Sequence, residues 1–203
     1  MAIHPTAIVD ARARIADGAE IGPYCIIGAG VDIGAGTRLI AHVFVESVTK
    51  IGDDNLVMAY SHIAHDVHIG NHAVLSNGAT CGGHVVIGDW AVIGAFSGVH
   101  QYCRVGRHAM IGGYSVITQD VLPFSMTVSP REVKIFGPNK TGLERRGFSP
   151  EAIEGLHKAF RLLAKSGLNT TQAVDRISNE VEMGPEIDEL LAFIASSERG
   201  FVK

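Results

Sequence analysis

The chain has 203 residues and a formal charge of −4, with 24 Gly, 19% charged residues and only 6% aromatics. That length suits one substantial domain with a small second one and excludes a large multidomain machine. The negative balance leaves no basic field of the kind that binds nucleic acid non-specifically, so no nucleic-acid partner is expected. With glycine above and charge below ordinary globular composition, the core has to come from aliphatics and the chain must turn often.

The N-terminus, MAIHPTAIVD, has no charged segment leading into an apolar core, and no apolar run approaches a membrane span of about 18 residues. Cys25, Cys81 and Cys103 form no CxxC pair and leave an odd thiol if two are bridged, which fits a reducing compartment. The expectation is a soluble, cytoplasmic protein without stable membrane insertion.

Residues 1–122 hold 17 of the 24 Gly and nine of the ten His but only 16 charged residues, against 22 in residues 123–203. The boundary near Pro123 divides a repeat region, 1–122, from a linker and helical region, 123–203. Counting in sixes from Ile3 gives 20 hexads without an insertion, with Ile, Leu or Val at position one in 19 of them and Cys81 as the exception. Position five is always Ala, Ser, Thr, Cys, Val or Asn, and position two is Gly in ten hexads. A period of six fits neither a helix nor simple alternation. It fits short strands each followed by a bend, with positions one and five pointing inward and Gly relieving crowding. Three strands per coil make a triangular parallel solenoid with an 18-residue repeat, each coil burying its face only by stacking on the next.

After Pro123 the period becomes helical. Ser149-Pro150 reads as an N-cap with Pro at the first helical position, followed by the apolar face Ala152, Ile153, Leu156, Phe160 and Leu163. A second helix is expected from Thr170 or Thr171 and a third after Pro185, their apolar stripes covering the open end of the solenoid or a neighbouring subunit.

The 18-residue period also says which residues lie above one another. His65, Gly83 and Gln101 form one column at the strand spacing of about 4.8 Å, with His62, His84 and His100 beside it. Imidazoles titrate near neutrality and suit general-base work on an alcohol or amine. His4, His42, His108 and His157 read as solvated and inert. His65, His68 and His72 have metal-like spacing, but they fall on different faces and are not expected to converge within one chain.

The segments HIAHD (62–66), NGATCGGHV (77–85), VHQYC (99–103), IGGYSVITQDV (111–121) and GLERRGFS (142–149) resemble the acyl-[acyl-carrier-protein]–UDP-N-acetylglucosamine O-acyltransferases that start lipid A synthesis, a group of hexapeptide-repeat acyltransferases. The resemblance covers nearly the whole chain. It implies a left-handed parallel β-helix with a C-terminal α-helical region, assembled as a homotrimer with active sites between subunits. It further implies acyl carrier protein as donor partner, a UDP-amino sugar as acceptor, and no metal or redox cofactor, since the thioester arrives activated on phosphopantetheine. Carried over residue by residue, His65 is the general base, Asp66 its assistant and the Gly83 N–H the oxyanion donor. His62, His84 and Gln101 position the sugar, while His100, Asn139, Arg145 and Arg146 hold the nucleotide. Gly113 stands where side-chain bulk sets acyl length. Strict strand alternation points Asp66 away from His65, so their contact requires a bend.

The sequence departs from that family in being shorter. VTKIGDDN (48–55) runs straight into LVMAYSHIAHD, where typical members carry further coils and a loop with an acidic residue and a lysine for substrate binding. Tyr60 replaces a common amide and Thr141 a common acid. An acyltransferase with another nucleotide-sugar or amine acceptor, and a catalytically weak binding or assembly protein, also fit the repeat.

Overall fold

In a computed structural model that describes residues 2–128, 134–164 and 166–202, the first region is a three-sided parallel β-solenoid of about seven coils. Each strand is two residues long, made from position six of one hexad and position one of the next. Partners lie 18 residues apart, as in His62↔Thr80 and Thr80↔Gly98. The pleat turns position six outward and position one inward, so Ile21, Ile27, Leu39, Ile63, Ile69, Leu75 and Ile93 are no more than 1% exposed. From Ala19 onward position five is buried as expected, and its polar members donate to main-chain carbonyls, most often 15 residues on: Thr49 Oγ1 donates to Ala64 O at 2.7 Å and Ser97 Oγ to Gly112 O at 2.9 Å.

The bend lies at position four, where the backbone is left-handed at residues as bulky as Tyr24, Trp90 and Tyr102 (φ 58°, 61° and 64°). Such angles cost of order 1 kcal/mol or more for a non-glycine residue. Two interactions offset that cost. The bend N–H donates to the coil before it, as His84 N does to His65 O at 3.1 Å. Rings one coil apart then stack, with centroids 4.9 Å apart for Tyr24–His42 and His42–Tyr60 and 4.7 Å for His84–Tyr102, within the range of favourable aromatic pairs, and His72–Trp90 stack closer still at 4.0 Å. Position-two glycines answer a different need. Gly22 and Gly106 lie where a Cβ would strike the backbone of Ile40 and Pro123 in the next coil.

The last coil is two residues short: Met110 pairs with Met126 and Val105 with Val121, offsets of 16 instead of 18. Pro123 sits in the bend against Gly106, where the ladder requires no N–H from it. The parallel ladder therefore continues past residue 122 through strand Ser125–Val128, and strand Lys134–Pro138 returns antiparallel. Four helices follow: α1 (Lys140–Arg145), α2 (Pro150–Ala164), α3 (Thr170–Glu180) and α4 (Pro185–Ala195). Ser149 Oγ accepts from Ala152 N at 3.1 Å at the start of α2, and Asn169 with Gln172 forms a capping box on α3. Leu143, Leu156, Phe160, Ile177 and Leu190 pack with Leu122 and Phe124 of the final coil as a second core, so the helices close that end of their own solenoid. Asp120, 1% exposed, fastens the tail by accepting from Arg104 and from Ser197 Oγ at 2.9 Å.

His108 departs from the expectation of a solvated side chain. It is 3% exposed, stacked between Trp90 and Phe124 and edge-on to Phe148, because the helical region covers that edge. Burial, then the charges of Arg107 and Arg146, push its pKa from 6.5 down to about 4, against a small opposing pull from Asp89. Between those values the unfolded chain holds a proton that the folded chain does not, so stability falls as pH drops from 6.5 towards 4. At about 1.4 kcal/mol per pKa unit the loss amounts to some 3 kcal/mol. Urea unfolding at pH 7 and pH 4.5 should show a smaller acid loss in His108→Phe than in wild type; equal losses would refute this assignment.

Candidate active site

The solenoid has three edges, and the column containing His65 occupies one of them. His65 and Asp66 form its bend in one coil, Gly83 and His84 in the next, and Gln101 and Tyr102 in the third. Asp66 is left-handed (φ 57°), which turns its side chain back on its neighbour, so that Asp66 Oδ2 lies 2.9 Å from His65 Nδ1. A carboxylate only accepts, so Nδ1 carries the hydrogen and Nε2 keeps its lone pair. His84 Nε2 stands 3.9 Å from the same oxygen, with its ring edge-on to His65 at 5.2 Å and stacked on Tyr102.

Gly83 lies directly under the His65 ring. A Cβ there would come within 2.5 Å of Cε1 and 2.7 Å of Nε2, so only glycine lets the ring lie against the backbone. On another edge the N–H groups at hexad position three are taken up by carboxylates and amides one coil on: Ala35 and Asp53 donate to Asp53 Oδ1 and Asn71 Oδ1 at 2.8 Å. The Gly83 N–H has no such acceptor among the described residues. A base with a free Nε2 beside an unengaged amide donor is equipped to take a proton from a hydroxyl and to stabilise an oxyanion.

Glu46, which composition and spacing did not single out, supports this arrangement from the coil before. Its Oε1 is 3.1 Å from His62 Nε2 and its Oε2 accepts the His65 N–H at 3.2 Å. Its signal in the sequence is a carboxylate at position two, where glycine prevails, 19 residues before His65. Arg199 likewise carries no mark in the sequence pattern. It brings a cation to the upper end of the column, donating to Gln101 O at 3.3 Å, an oxygen that His100 Nδ1 also approaches at 3.1 Å.

The other expected site residues lie elsewhere on the chain. Gly113 is one face on, at the edge carrying Tyr60, Phe96 and Tyr114, and Ala95 O would lie 3.2 Å from a Cβ added there. Asn139, Arg145 and Arg146 border the third edge. Asn139 is buried and its amide is occupied, accepting from Gly142 N to cap α1 and donating to His108 O, both at 3.3 Å. Arg145 is exposed. Arg146 lies over the Trp90 ring at 5.0 Å, donates to Gly142 O and has a buried Nε without a partner. Burial lowers its pKa, and no carboxylate pairs with it among the described residues. A half-buried guanidinium without a counterion is a ready receptor for an anion. As expected, His68 and His72 lie on other faces from His65.

Residues 120–202 match the family described as UDP-N-acetylglucosamine O-acyltransferase, domain 2, and residues 49–83 match the bacterial transferase hexapeptide repeat. Acyl-[acyl-carrier-protein]–UDP-N-acetylglucosamine O-acyltransferases from Thermodesulfovibrio yellowstonii and Syntrophobacter fumaroxidans are each 39% identical, covering 99% and 100% of this chain and the same shares of their own. Among solved structures, UDP-N-acetylglucosamine acyltransferase from Bacteroides fragilis aligns over 99% of this chain and 100% of its own, with 30% identity and a TM-score of 0.82. LpxA from Acinetobacter baumannii aligns over 99% of both chains, with 34% identity and a TM-score of 0.77. The alignment to the Thermodesulfovibrio protein spans 256 positions and this chain has 203 residues, so at least 256 − 203 = 53 positions are filled by the relative alone, close to three 18-residue coils. The chain belongs to the acyl-[acyl-carrier-protein]–UDP-N-acetylglucosamine O-acyltransferase family.

Proposed function

We propose that the protein transfers a 3-hydroxyacyl chain from acyl carrier protein to the 3-hydroxyl of UDP-N-acetylglucosamine, the first step of lipid A synthesis, as a cytoplasmic homotrimer. The observation that carries this reading is the His65–Asp66 pair set against the unengaged Gly83 N–H. His65 Nε2 takes the proton of the sugar hydroxyl as its oxygen attacks the thioester carbonyl. The Gly83 N–H meets the oxyanion, and collapse of the tetrahedral intermediate breaks the carbon–sulfur bond. The imidazolium then returns its proton to the departing phosphopantetheine thiolate, so the base is regenerated. Asp66 fixes the tautomer and steadies the transient cation. The donor arrives activated, so this route asks for positioning, one base and one oxyanion donor, without a metal or redox cofactor.

Sugar and nucleotide divide between two edges. His62, His84 and Gln101 surround the hydroxyl beside His65, with His100 next in the column, and Arg146, with Arg145 beside it, takes the diphosphate. The diphosphate is joined to the anomeric carbon, two carbons from the reacting hydroxyl, whereas Arg146 stands one solenoid face from His65 in the same chain. A second copy that lays its Arg146 edge beside the His65 edge of the first brings the two parts together, with Asn139 of that copy released from its cap to reach the nucleotide. Gly113, without a side chain, leaves room for a long acyl chain.

The test is thiol release from 3-hydroxyacyl carrier proteins of several chain lengths, with mass analysis of the sugar nucleotide. The expected result is release that depends on UDP-N-acetylglucosamine, with the acyl group found on the sugar. Thioester hydrolysis without an acylated sugar, or transfer to the 3-amino analogue alone, would overturn the reading.

A further inference from the structure

His65, Asp66 and His84 do more than flank one another: each presents one ligand atom, and the three atoms lie within 4.8 Å of one another. Two imidazoles and a carboxylate are a common donor set for zinc and its neighbours, leaving a fourth position open to water. A tetrahedral ion with bonds of about 2.0–2.2 Å needs ligand atoms roughly 3.3–3.5 Å apart. The distances in place, 2.9 Å from Asp66 Oδ2 to His65 Nδ1 and 3.9 Å to His84 Nε2, bracket that value. Small side-chain rotations close the difference, and all three side chains are 40–50% exposed, so an ion has free access. The two coils carrying these residues are locked in register by their ladder, and Tyr102 holds the His84 ring by stacking, so little has to be ordered on binding. The three thiols are buried, and burial raises their pKa values, Cys81 to about 12, so they do not compete as thiolate ligands.

We propose that His65, Asp66 and His84 form an inhibitory site for a zinc-class divalent cation. The inhibitory half of this rests on the catalytic role of His65 given above; the binding half does not. An ion on His65 Nδ1 obliges the proton of the neutral ring to sit on Nε2, and an ion on Nε2 occupies its lone pair directly. Either way Nε2 can no longer accept the proton of the sugar hydroxyl. The ion also withdraws Asp66 from His65. It enters no step of the transfer reaction and blocks the first one.

The experiment uses the full chain, stripped with chelator and titrated with CoCl2 and then with ZnCl2 alone. Visible absorption reads coordination geometry, calorimetry reads stoichiometry, and acyl transfer is followed in parallel. The expected result is one cobalt per chain with the intense visible bands of a four-coordinate site, displaced by zinc, with binding at least about tenfold weaker in His84→Ala and in Asp66→Ala but unchanged in His157→Ala. Transfer should fall with zinc occupancy and return on chelation. Absence of a cobalt spectrum, or equal binding by His84→Ala, would overturn the site. Full zinc occupancy with undiminished transfer would overturn the inhibition. A protein that binds zinc as described yet transfers no acyl group under any condition would instead count against the proposed function.

Discussion

Replacing His65 by Ala is expected to lower the rate of acyl transfer by a factor of about 10² to 10⁴, the usual contribution of a positioned general base. The fall should appear in kcat, with KM for the nucleotide sugar little changed, because the groups assigned to diphosphate binding lie on another edge. Thermal stability should hold. The ring is half exposed, and its removal leaves the main-chain contacts of that coil, His84 N to His65 O and His65 N to Glu46, in place. Asp66→Asn should cost less, since an amide still accepts from Nδ1 but no longer stabilises the imidazolium. Undiminished turnover in His65→Ala would remove the proposed base, whatever the family resemblance.

The largest stability effect is expected from Gly22→Ala, and it separates two roles that glycine plays in this fold. A Cβ on Gly22 would overlap the Ile40 carbonyl, which is backbone of the next coil. Relief by moving that coil would stretch the ladder bonds from Gly22 N to Leu39 O at 2.8 Å and from Ile40 N to Val57 O at 2.9 Å. Overpacking against side chains costs about 1–3 kcal/mol, and against ladder backbone the upper end applies. In a chain of this length that corresponds to a fall in Tm of about 6–12 °C. Gly98→Ala is the matched control, because no heavy atom lies within 4 Å of a Cβ built there. Its expected change is within about 0.5 kcal/mol. Calorimetric unfolding of the two variants decides the matter, and equal Tm values would show that coil stacking does not hold Gly22 as tightly as its geometry requires.

The solenoid was legible because its constraint is strictly periodic. All but one hexad places an aliphatic at position one and every hexad a small residue, Val or Asn at position five, so Ile63 and Val67 declare their burial without reference to distant residues. Column counting extended that legibility to the site, since His65, Gly83 and Gln101 are stacked as the period requires. For the His65–Asp66 contact the sequence says only that a bend is needed. The bend exists because position four is left-handed, a property hidden when Tyr, Trp and Asp occupy it instead of glycine. Two other features depend on long-range contacts that no local pattern carries. Glu46 reaches His62 and His65 across a coil boundary, and His108 is enclosed by Phe124 and by Phe148, 40 residues later, as well as by Trp90.

The chain's brevity also acquires a physical meaning. A solenoid tolerates the loss of whole coils, since each coil contacts only its neighbours, whereas a loss out of phase would rotate every later column to another face. With close to three coils fewer than its relatives, the chain keeps its 18-residue register from Ala2↔Glu20 to Gly98↔Val116, and so keeps Gly83 under His65.

That geometry leaves the base on one edge and the Arg146 guanidinium on another, and the proposed function requires one catalytic centre that joins the His65 edge of one copy to the Arg146 edge of a second. Co-expression of His65→Ala with Arg146→Met, each nearly inactive alone, followed by purification of the mixed oligomers, tests this directly. At equal mixing about a quarter of the interfaces of a closed ring combine an intact His65 with an intact Arg146, so transfer should return to about a quarter of the wild-type rate. Mixed oligomers no more active than either parent would contradict a centre shared between copies.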